Sequence, residues 1–419
     1  MSESTQSSNL NWRAPFRVKS FRFQWPADLA TSWAFEMESI ILGWYILSAS
    51  GSVLMLVLFG SLQFLGSLFS PVFGVACDRI GYRKMLWATR AVYAGMALVL
   101  MCLSYLDALT PERVLCIAAV VGLLRPSDQM MRNALIARTL PSDQLMGALG
   151  VSRMTSDSAR IAGALAGAGI VAFLGMTSAY VLVTLLYTLS FFLSRGVDDV
   201  KPSANTESTP TSPFKDLKLA FVYVWHKPIL MGAMALAFLV NLLAFPFCLG
   251  LLPYVAKNIF QTDQTGLGFL GASFAFGGLL ASMLLSTHRF KFRAAQTMLI
   301  ASCAWFVLDL AFAFSTHLFT GMGILLFAGF VQSFSMTPLA AVMLRVTTPD
   351  YHGRVMGMRM LAIWGLPIGL LVSGPFVESI GYVATAVIYS VLGLLLTVAM
   401  TVYWRGVLWD QKSIANDVL

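Results

Sequence analysis

Charged side chains lie inside several long apolar stretches of this sequence, where residues of this kind can bind protons or hold a charged solute. A charge in the middle of a membrane-spanning helix costs about 2.5–3.5 kcal/mol on insertion scales, so such residues are usually paired or functional. The set in the first, fourth and fifth apolar stretches consists of Glu36, Glu38, Arg125, Asp128, Arg132, Arg153, Asp157 and Arg160. Acids and bases are equal in number, so the set is neutral as a whole.

The four acids of this set, Glu36, Glu38, Asp128 and Asp157, are candidates for proton binding. Apolar surroundings disfavour the charged form of a carboxylate, so a buried acid can exchange a proton near neutral pH. Glu36 and Glu38 are separated by about 200° around a helix, so we expect one of them to face a central cavity, and we favour Glu36. All histidines lie at or near predicted loops, which leaves carboxylates to carry any proton. The alternative is a static ion-pair cluster that holds the first, fourth and fifth helices together.

The arginines of the same set are candidates for contact with a solute. Arg125, Asp128 and Arg132 share one face of a helix, and the fifth stretch repeats this order of charges. Arg125 and Arg160 fall at a similar depth near mid-membrane, at about 1.5 Å of rise per residue. We therefore expect these two arginines to line a substrate cavity. Further cavity candidates are the aromatic and amide side chains of Trp44, Asn241 and Gln332.

The composition indicates that these residues lie in membrane-spanning helices. Hydrophobic residues make up 58% of 419 residues, charged residues only 11%, and the mean hydropathy is +0.75. A soluble protein would contain about 25% charged residues. Since a helix needs about 20 apolar residues to cross a bilayer, we predict twelve spans. They are residues 28–47, 53–73, 85–105, 113–137, 147–174, 178–193, 228–254, 266–286, 294–315, 318–346, 355–376 and 381–403.

Basic residues concentrate in alternate loops between these spans. One side carries Arg79, Arg83, Lys84, Arg138, Arg195, Lys201, Lys215, Lys218, Lys227, Arg289, Lys291, Arg293, Arg345 and Arg354, and the other has little beyond Arg113 and Lys257. Basic loops stay on the cytoplasmic side, so both termini are predicted to be cytoplasmic, in a multi-pass protein of a bacterial-type inner membrane. This topology explains the formal charge of +8 and removes it as an argument for nucleic-acid binding.

The predicted domains follow from the spans and from one polar segment between them. Residues 1–27 form a cytoplasmic tail, 28–194 an N-terminal six-helix bundle, 228–404 a C-terminal six-helix bundle, and 405–419 a second tail. Residues 195–227 form a linker that is rich in serine, threonine and proline and ends in an interfacial helix. The five cysteines form no C-x-x-C pair, so neither a disulfide framework nor a zinc site is expected.

The loop between the second and third spans carries a recognisable motif. Gly74, Asp78, Arg79, Gly81, Arg83 and Lys84 follow the spacing G-x-x-x-D-R-x-G-x-R-K. This pattern resembles the signature loop of the major facilitator superfamily. The resemblance implies an all-α integral membrane protein with twelve transmembrane helices in two pseudo-symmetric bundles of six. It also implies that the loop latches the two halves in the outward-facing state.

Within that superfamily the chain resembles the branch of enterobactin exporters and macrolide efflux proteins. The resemblance is carried by residues 241–246, Leu252 and Pro253, residues 266–268, Gly277 and Gly278, and residues 353–357. Exporters of the family often carry Gly-Pro in the fifth span, where this chain has Ala164 and Leu165. By analogy the ninth span is peripheral, so its lone acid, Asp309, is interpreted as structural or interfacial.

These observations predict a secondary active transporter that exports amphipathic small molecules by alternating access, driven by a proton gradient without a bound cofactor or metal. The alternative is an importer of an anionic metabolite or siderophore, with Arg125 and Arg160 binding its carboxylate. The sequence contains no G-x-S-x-G, H-E-x-x-H or P-loop pattern, so an enzyme is not expected. Its predicted partners are the small-molecule substrate, protons and the lipid bilayer, not nucleic acid, and by analogy it is a monomer.

Overall fold

The computed structural model describes residues 14–69, 73, 76–77, 80–198, 219, 221–286, 294–348 and 351–405. Within these residues the regular structure is helical. In the first half, the helices are α1 (Lys19–Ser50), α2 (Val53–Leu62, continued by the 3-10 turn Leu65–Phe69), α3 (Tyr82–Tyr105), α4 (Pro111–Thr139) and a long helix, Ser142–Ser194, that Gly175 divides into α5 and α6.

In the second half, α7 is an interrupted helix and the others are more regular. Their bounds are α7 (Pro228–Leu243, continued by Pro246–Gly250, Leu252–Tyr254 and Val255–Ile259), α8 (Gln264–Ser286), α9 (Ala294–Ala313), α10 (Leu318–Val346), α11 (His352–Ala362 and Gly365–Ile380) and α12 (Tyr382–Tyr403). The predicted span of residues 228–254 is therefore helical but not a single α-helix, because proline at position 246 cannot donate a backbone hydrogen bond.

Nine of the described helices are long and apolar enough to cross a membrane. One of them, Gly147–Ser194, is 48 residues long and is broken at Gly175, so it supplies two crossings. The helix α1 is 32 residues long but carries three acids that lower its hydropathy, and α2 forms a shorter apolar helix with the turn that follows it. Together these elements make up the twelve predicted spans.

One glycine in each half allows the chain to reverse sharply between two helices. Gly175, between α5 and α6, has φ 80° and ψ 173°, and Gly381, between α11 and α12, has φ 85° and ψ 164°. Residues with a Cβ atom rarely adopt these angles. The equivalent placement of the two breaks, between the fifth and sixth helix of each half, agrees with a repeated six-helix architecture.

Each half contains an aromatic core of its own. In the first half, Phe35 on α1 makes edge contacts with Tyr93 and Tyr187, at centroid distances of 5.0 and 5.7 Å. In the second half, Trp305 on α9 lies against Phe245 at 4.8 Å. Aromatic pairs of this geometry add to the energy of simple burial. These contacts pack the helices of each half against one another.

The halves touch each other near one end of the helices. We call the ends near Lys84, Arg138 and Arg195 the basic end, and the other ends the opposite end. Towards the opposite end, Ser61 on α2 donates a hydrogen bond of 3.1 Å to the carbonyl of Pro367 on α11. Lys257 in α7 donates one of 3.5 Å to the carbonyl of Leu47. These contacts close the space between the halves at the opposite end.

Exposed charged side chains lie between the halves towards the basic end. Ala164 and Ala168 on α5 lie against α8 of the second half. Arg160 and Arg153 precede Ala164 by one and three helical turns on the same face, yet their side chains are 46% and 66% exposed. Because a charged side chain at this depth does not face lipid, Arg160 lines a cavity. The exposure of these two arginines indicates a conformer in which the halves are less closely packed towards the basic end.

Within the second half, glycine allows α8 and α10 to approach closely. A Cβ atom on Gly277 would lie 1.9 Å from the carbonyl oxygen of Leu326, and one on Gly329 would lie 1.9 Å from that of Phe274. Small residues at helix interfaces permit this backbone proximity in membranes. The interface therefore depends on both glycines.

Replacing Gly277 with alanine is expected to lower the free energy of unfolding by about 1–3 kcal/mol, the usual cost of overpacking. The added methyl group meets backbone, which cannot rotate away. Thermal denaturation of the purified protein in detergent would measure the loss. Gly323→Ala on α10 is the matched control, because nothing lies within 4 Å of its Cβ position. Equal melting temperatures for the two variants would contradict the prediction.

Candidate transport site

Four buried charged residues form a closed ion-pair cluster near the basic end. We call Asp28, Arg90, Asp128 and Arg132 the buried tetrad. Arg90 pairs with Asp28, and its Nε lies 3.8 Å from Asp128 Oδ1. Arg132 completes the cycle, with Nη2 2.6 Å from Asp128 Oδ2 and Nε 3.5 Å from Asp28 Oδ1. All four side chains are at most 7% exposed, and the tetrad is neutral.

Three helices supply the tetrad, and neutral groups on α1 and α6 support it. Asp28 comes from α1, Arg90 from α3, and the other two residues from successive turns of α4. Arg90 donates a hydrogen bond of 3.0 Å to Ser194 on α6, and Arg132 donates one of 3.0 Å to Ser32 on α1. The tetrad therefore ties α1, α3, α4 and α6 together at the basic end.

This arrangement differs from the sequence-based interpretation of the fourth helix. We expected Arg125, Asp128 and Arg132 to interact along one face of the helix, with their excess positive charge balanced by acids of α1. Asp128 pairs with Arg132 as expected but also with Arg90, while Arg125 donates a hydrogen bond to the side-chain amide oxygen of Gln63 on α2. Sequence analysis missed Asp28, Arg90 and Gln63. Arg90 could have been recognised from the sequence, because it is a base inside the predicted third span.

Arg125 lies beside a small cavity inside the first half. Its guanidinium group sits over the ring of Phe35, 4.8 Å from the centroid, and Gln63 also accepts a hydrogen bond of 3.1 Å from Ser39. A narrow space of about 20 Å³ is lined by these residues together with Glu38 and apolar side chains of α1, α2 and α4. Space of this size accommodates about one water molecule.

Glu38 faces the interior of the first half. Its side chain accepts a hydrogen bond of 2.9 Å from the hydroxyl of Tyr187 on α6, and the residue is 7% exposed. Tyr187 in turn packs against Phe35. Glu38 is therefore held by the core of its own bundle and not by the interface between the halves.

Glu36 faces the cavity between the halves. Its Oε1 lies 3.9 Å from Nε of Arg160, and the two side chains are 28% and 46% exposed. At this distance and exposure the pair is a weak, solvated ion pair that can open without a large energetic cost. The geometry thus separates the two glutamates, and the assignment of a proton to either of them stays a prediction.

The fifth helix continues the charged lining towards the basic end. Asp157 is 10% exposed and lies 3.3 Å from Nε of Arg153, one helical turn away. Arg359 on α11 of the second half lies within electrostatic reach of Arg153. The charged groups along the cavity therefore include Glu36, Asp157, Arg160, Arg153 and Arg359.

The remaining cavity candidates lie in different surroundings. Trp44 is half-buried on α1 and packs against the core of the second half. Asn241 is 8% exposed, and its side chain donates a hydrogen bond of 2.8 Å to the carbonyl of Ala237 in the same helix. Gln332 is half-buried on α10. Their proposed contact with substrate stays a prediction.

Part of the signature loop is described and part is not. Gly74, Asp78 and Arg79 lie outside the described residues. Gly81 has φ 100° immediately before α3, a conformation that favours glycine. Arg83, two residues later, donates a hydrogen bond of 2.6 Å to the carbonyl of Arg195 at the end of α6. Lys84 lies in the same first turn of α3. The role of the loop as a latch stays a prediction.

The described helices form two halves with charged groups between them, an arrangement found in membrane transport proteins. The chain belongs to the transmembrane secretion effector family of the major facilitator superfamily, whose sequence profile it matches over residues 10–417. Proteins of this class are secondary transporters. The chain is therefore a multi-pass membrane protein that carries out secondary transport.

Solved structures of transporters share this fold. A variant of the nucleoside transporter NupG aligns with a TM-score of 0.67 at 15% identity, over 91% of this chain and 99% of that one. The human organic anion transporter MFSD10 aligns with a TM-score of 0.66 at 17% identity, over 91% of this chain and 99% of that one. A D-xylose–proton symporter aligns with a TM-score of 0.69 at 15% identity, over 91% of this chain and 96% of that one. The predicted all-α major facilitator fold is confirmed. A comparison with curated protein sequences gives no significant match.

Proposed function

We propose that this protein is a proton-coupled exporter of amphipathic small molecules, in the manner of the drug- and siderophore-exporting branch. The observation that carries the proposal is the ion pair between Glu36 and Arg160, which is 3.9 Å long and partly exposed in the cavity between the halves. An acid in that position can be reached by both a proton and a solute. The description of the family as secretion effectors supports the outward direction.

The proposed cycle begins in the conformer described above. The basic end faces the cytoplasm of a bacterial-type cell, with both termini on that side, so the open cavity receives solute from inside. A solute that contacts Glu36 displaces Arg160, and the halves then rock until the cavity opens at the opposite end. A proton that binds Glu36 from outside removes the negative charge that attracts the solute, because the neutral acid no longer forms an ion pair. Release of the solute follows.

Other residues have supporting roles in this proposal. Glu38, Asp128 and Asp157 remain further candidates for proton binding, and Arg125, Trp44, Asn241 and Gln332 for contact with the substrate. The signature loop latches the halves when the cavity faces outward. The protein works as a monomer in the bilayer, with protons and solute as its only partners and without a cofactor.

A second candidate function is import of an anionic metabolite or siderophore. Arg153, Arg160 and Arg359 along the cavity outnumber Glu36 and Asp157, so the cavity has an excess positive charge among the residues that line it. Arginine binds carboxylates in bidentate geometry. One protein of the same fold is a human organic anion transporter.

The test is extrusion of fluorescent amphiphiles from cells that express wild type, Glu36→Gln or Glu38→Gln. We expect extrusion by wild type that an uncoupler abolishes. Glu36→Gln is expected to reduce uncoupler-sensitive extrusion at least about tenfold, a conservative figure because loss of a positioned acid or base typically costs about 100- to 10,000-fold. Glu38→Gln is the paired comparison, because it makes the same chemical change on the other candidate acid of α1, whose side chain faces the core.

Two outcomes would redirect the proposal. Equal loss in both variants would assign the proton to a coupled pair instead of Glu36 alone. No difference between wild-type and empty cells would set aside the export of amphiphiles, and uptake of carboxylates and siderophores would then be measured for the anionic alternative.

A further inference from the structure

A buried acid of the second half remains unused by the proposed cycle. Asp309 on α9 is 2% exposed. One oxygen, Oδ1, accepts a hydrogen bond of 3.0 Å from the thiol of Cys248, and the other, Oδ2, has no hydrogen-bond partner among the described residues. The indole of Trp305, one turn earlier, lies nearby but outside hydrogen-bonding geometry. An ionised carboxylate in this position would therefore be poorly compensated.

Among the described residues, the helices around Asp309 bring no positive charge close to it. The thiol of Cys248 on α7 and the phenol of Tyr382 on α12 are the titratable groups that face it, with Tyr254 of α7 behind Tyr382. The only base in the membrane part of α7 is Lys257, and its ammonium group is directed to Leu47 of the first half. Between Leu318 and Leu344, α10 contains no ionisable residue. A buried charge without a partner is strongly disfavoured.

Cys248 connects Asp309 to the interrupted part of α7. The thiol lies in the π turn Pro246–Gly250, where the amide of Leu251 donates a hydrogen bond of 2.8 Å to the carbonyl of Pro246. A second π turn, Val255–Ile259, follows within a few residues. Isolated π turns inside helices are frequent at functional sites. The hydrogen bond from Cys248 therefore connects Asp309 to the least regular segment of the described helices.

The segment after this turn helps to close the opposite end. We call residues 252–259 the α7 gate segment. Its Pro253 lies 3.3 Å from the position that a Cβ atom would take on Gly43 of α1. Lys257 donates its hydrogen bond to the carbonyl of Leu47 on the same helix. Movement of this segment away from α1 would open the cavity at the opposite end.

Asp309 is placed close to water that would enter from that end. It lies four residues before the end of α9 at Ala313, or about 6 Å along the helix axis. A rearrangement of the α7 gate segment would bring water to a carboxyl group that the closed conformer buries. Hydration removes most of the penalty for ionisation.

We propose that Asp309 is a proton-operated switch of the opposite-end gate: it holds a proton while the α7 gate segment is closed on α1, and it releases that proton when the segment opens. The proton enters and leaves from the same side, so Asp309 regulates the gate and does not carry a proton across the membrane. The switch is separate from Glu36 and does not depend on the direction of transport.

The sign of the pH dependence follows from this difference in proton binding. The closed conformer binds one more proton than the open conformer, so low pH favours closure. The ratio of open to closed protein is expected to rise with pH, by at most about tenfold per pH unit for one proton. In Asp309→Asn the amide imitates the neutral acid, so the gate is expected to stay closed at every pH.

The experiment measures the distance between spin labels at the opposite end, in purified protein without substrate. Labels on Tyr105→Cys and Phe319→Cys report on the two halves, because both side chains are highly exposed at that end. Alanine replaces Cys102, Cys116 and Cys303, while the fully buried Cys77 and Cys248 are retained. Spectra are compared from about pH 5 to about pH 9, a range that spans the titration of perturbed carboxyl groups.

The expected result is a long-distance population that grows with pH in the labelled parent protein and is reduced at least about tenfold in Asp309→Asn at the highest pH. Glu112→Gln is the matched control, because it makes an acid-to-amide change on an exposed residue at the same end and should retain the response. In Cys248→Ala the acid remains but its contact with α7 is lost, so the response should shrink by about half or more.

Three outcomes would overturn the proposal. They are a distance distribution that does not respond to pH, a response that persists in Asp309→Asn, and an undiminished response in Cys248→Ala. If Asp309→Asn does not fold, the pH response of the Cys248→Ala variant still tests the proposal. Because the measurement needs no solute, failure of the export assay and failure of this proposal are distinguishable.

Discussion

Replacement of Arg90 by methionine is expected to destabilise the folded protein by about 3–5 kcal/mol, the usual cost of removing one partner from a buried ion pair. Methionine retains the apolar stem of the side chain but lacks the guanidinium group, so most of the loss comes from the missing charge and hydrogen bonds. Among the described residues, the substitution leaves Asp28 and Asp128 with Arg132 as their one ion-pair partner, in a region where all these side chains are buried. Because the total stability of a domain is of order 5–15 kcal/mol, little folded protein should accumulate.

The measurement is the yield of monodisperse protein in detergent together with its melting temperature. Arg113→Met is the control, since Arg113 is exposed at the opposite end and forms no ion pair with any described residue. The double variant Arg90→Met with Asp28→Asn removes one acid and one base, so it should recover at least about 1 kcal/mol relative to the single variant. If Arg90→Met is as mild as Arg113→Met, the buried tetrad is not a determinant of stability.

Replacement of Gly268 by valine is expected to prevent closure of the halves at the opposite end. A Cβ atom on Gly268 of α8 would lie 2.6 Å from that of Ala168 and 3.0 Å from the carbonyl oxygen of Ala164, both on α5 of the other half. Overpacking of this kind costs about 1–3 kcal/mol. That penalty falls only on the conformer described here, so it shifts the population about five- to 150-fold towards proteins open at the opposite end.

Two readouts follow from this shift. The label pair at positions 105 and 319 should show a dominant long distance, and transport should fall at least about tenfold, because alternating access needs both conformers. Gly95→Val on α3 is the matched control, since nothing lies within 4 Å of its Cβ position. A wild-type distance distribution in Gly268→Val would mean that the contact between α5 and α8 does not set the closed conformer.

The number and approximate extent of the helices could be predicted from sequence because each depends on a local pattern. A bilayer requires about 20 apolar residues per span, and that requirement is met or broken within one stretch of chain. The predicted break between residues 174 and 178 is an example, since Gly175 provides the positive φ that the reversal needs. The signature loop indicated the superfamily for a similar reason, because its glycines and charged residues are close together in the sequence.

The partners of buried charges could not be predicted in this way. We treated Asp128 as part of a ladder with Arg125, because helical spacing brings those residues to one face. The actual partner of Asp128 outside its own helix, Arg90, lies 38 residues earlier on α3. Helical periodicity describes the faces of one helix but contains no information on which neighbouring helix covers each face.

The sequence by itself determined that this is a twelve-helix membrane protein of the major facilitator superfamily, because hydrophobic length and a contiguous motif are properties of single segments. Only the tertiary structure decided which acids face the cavity and which face a core. It places Glu36 beside Arg160, Glu38 beside Tyr187, and Asp309 beside Cys248 at the interruption of α7. Each of these pairs joins helices that are remote in sequence, and their meeting depends on the packing of the whole bundle.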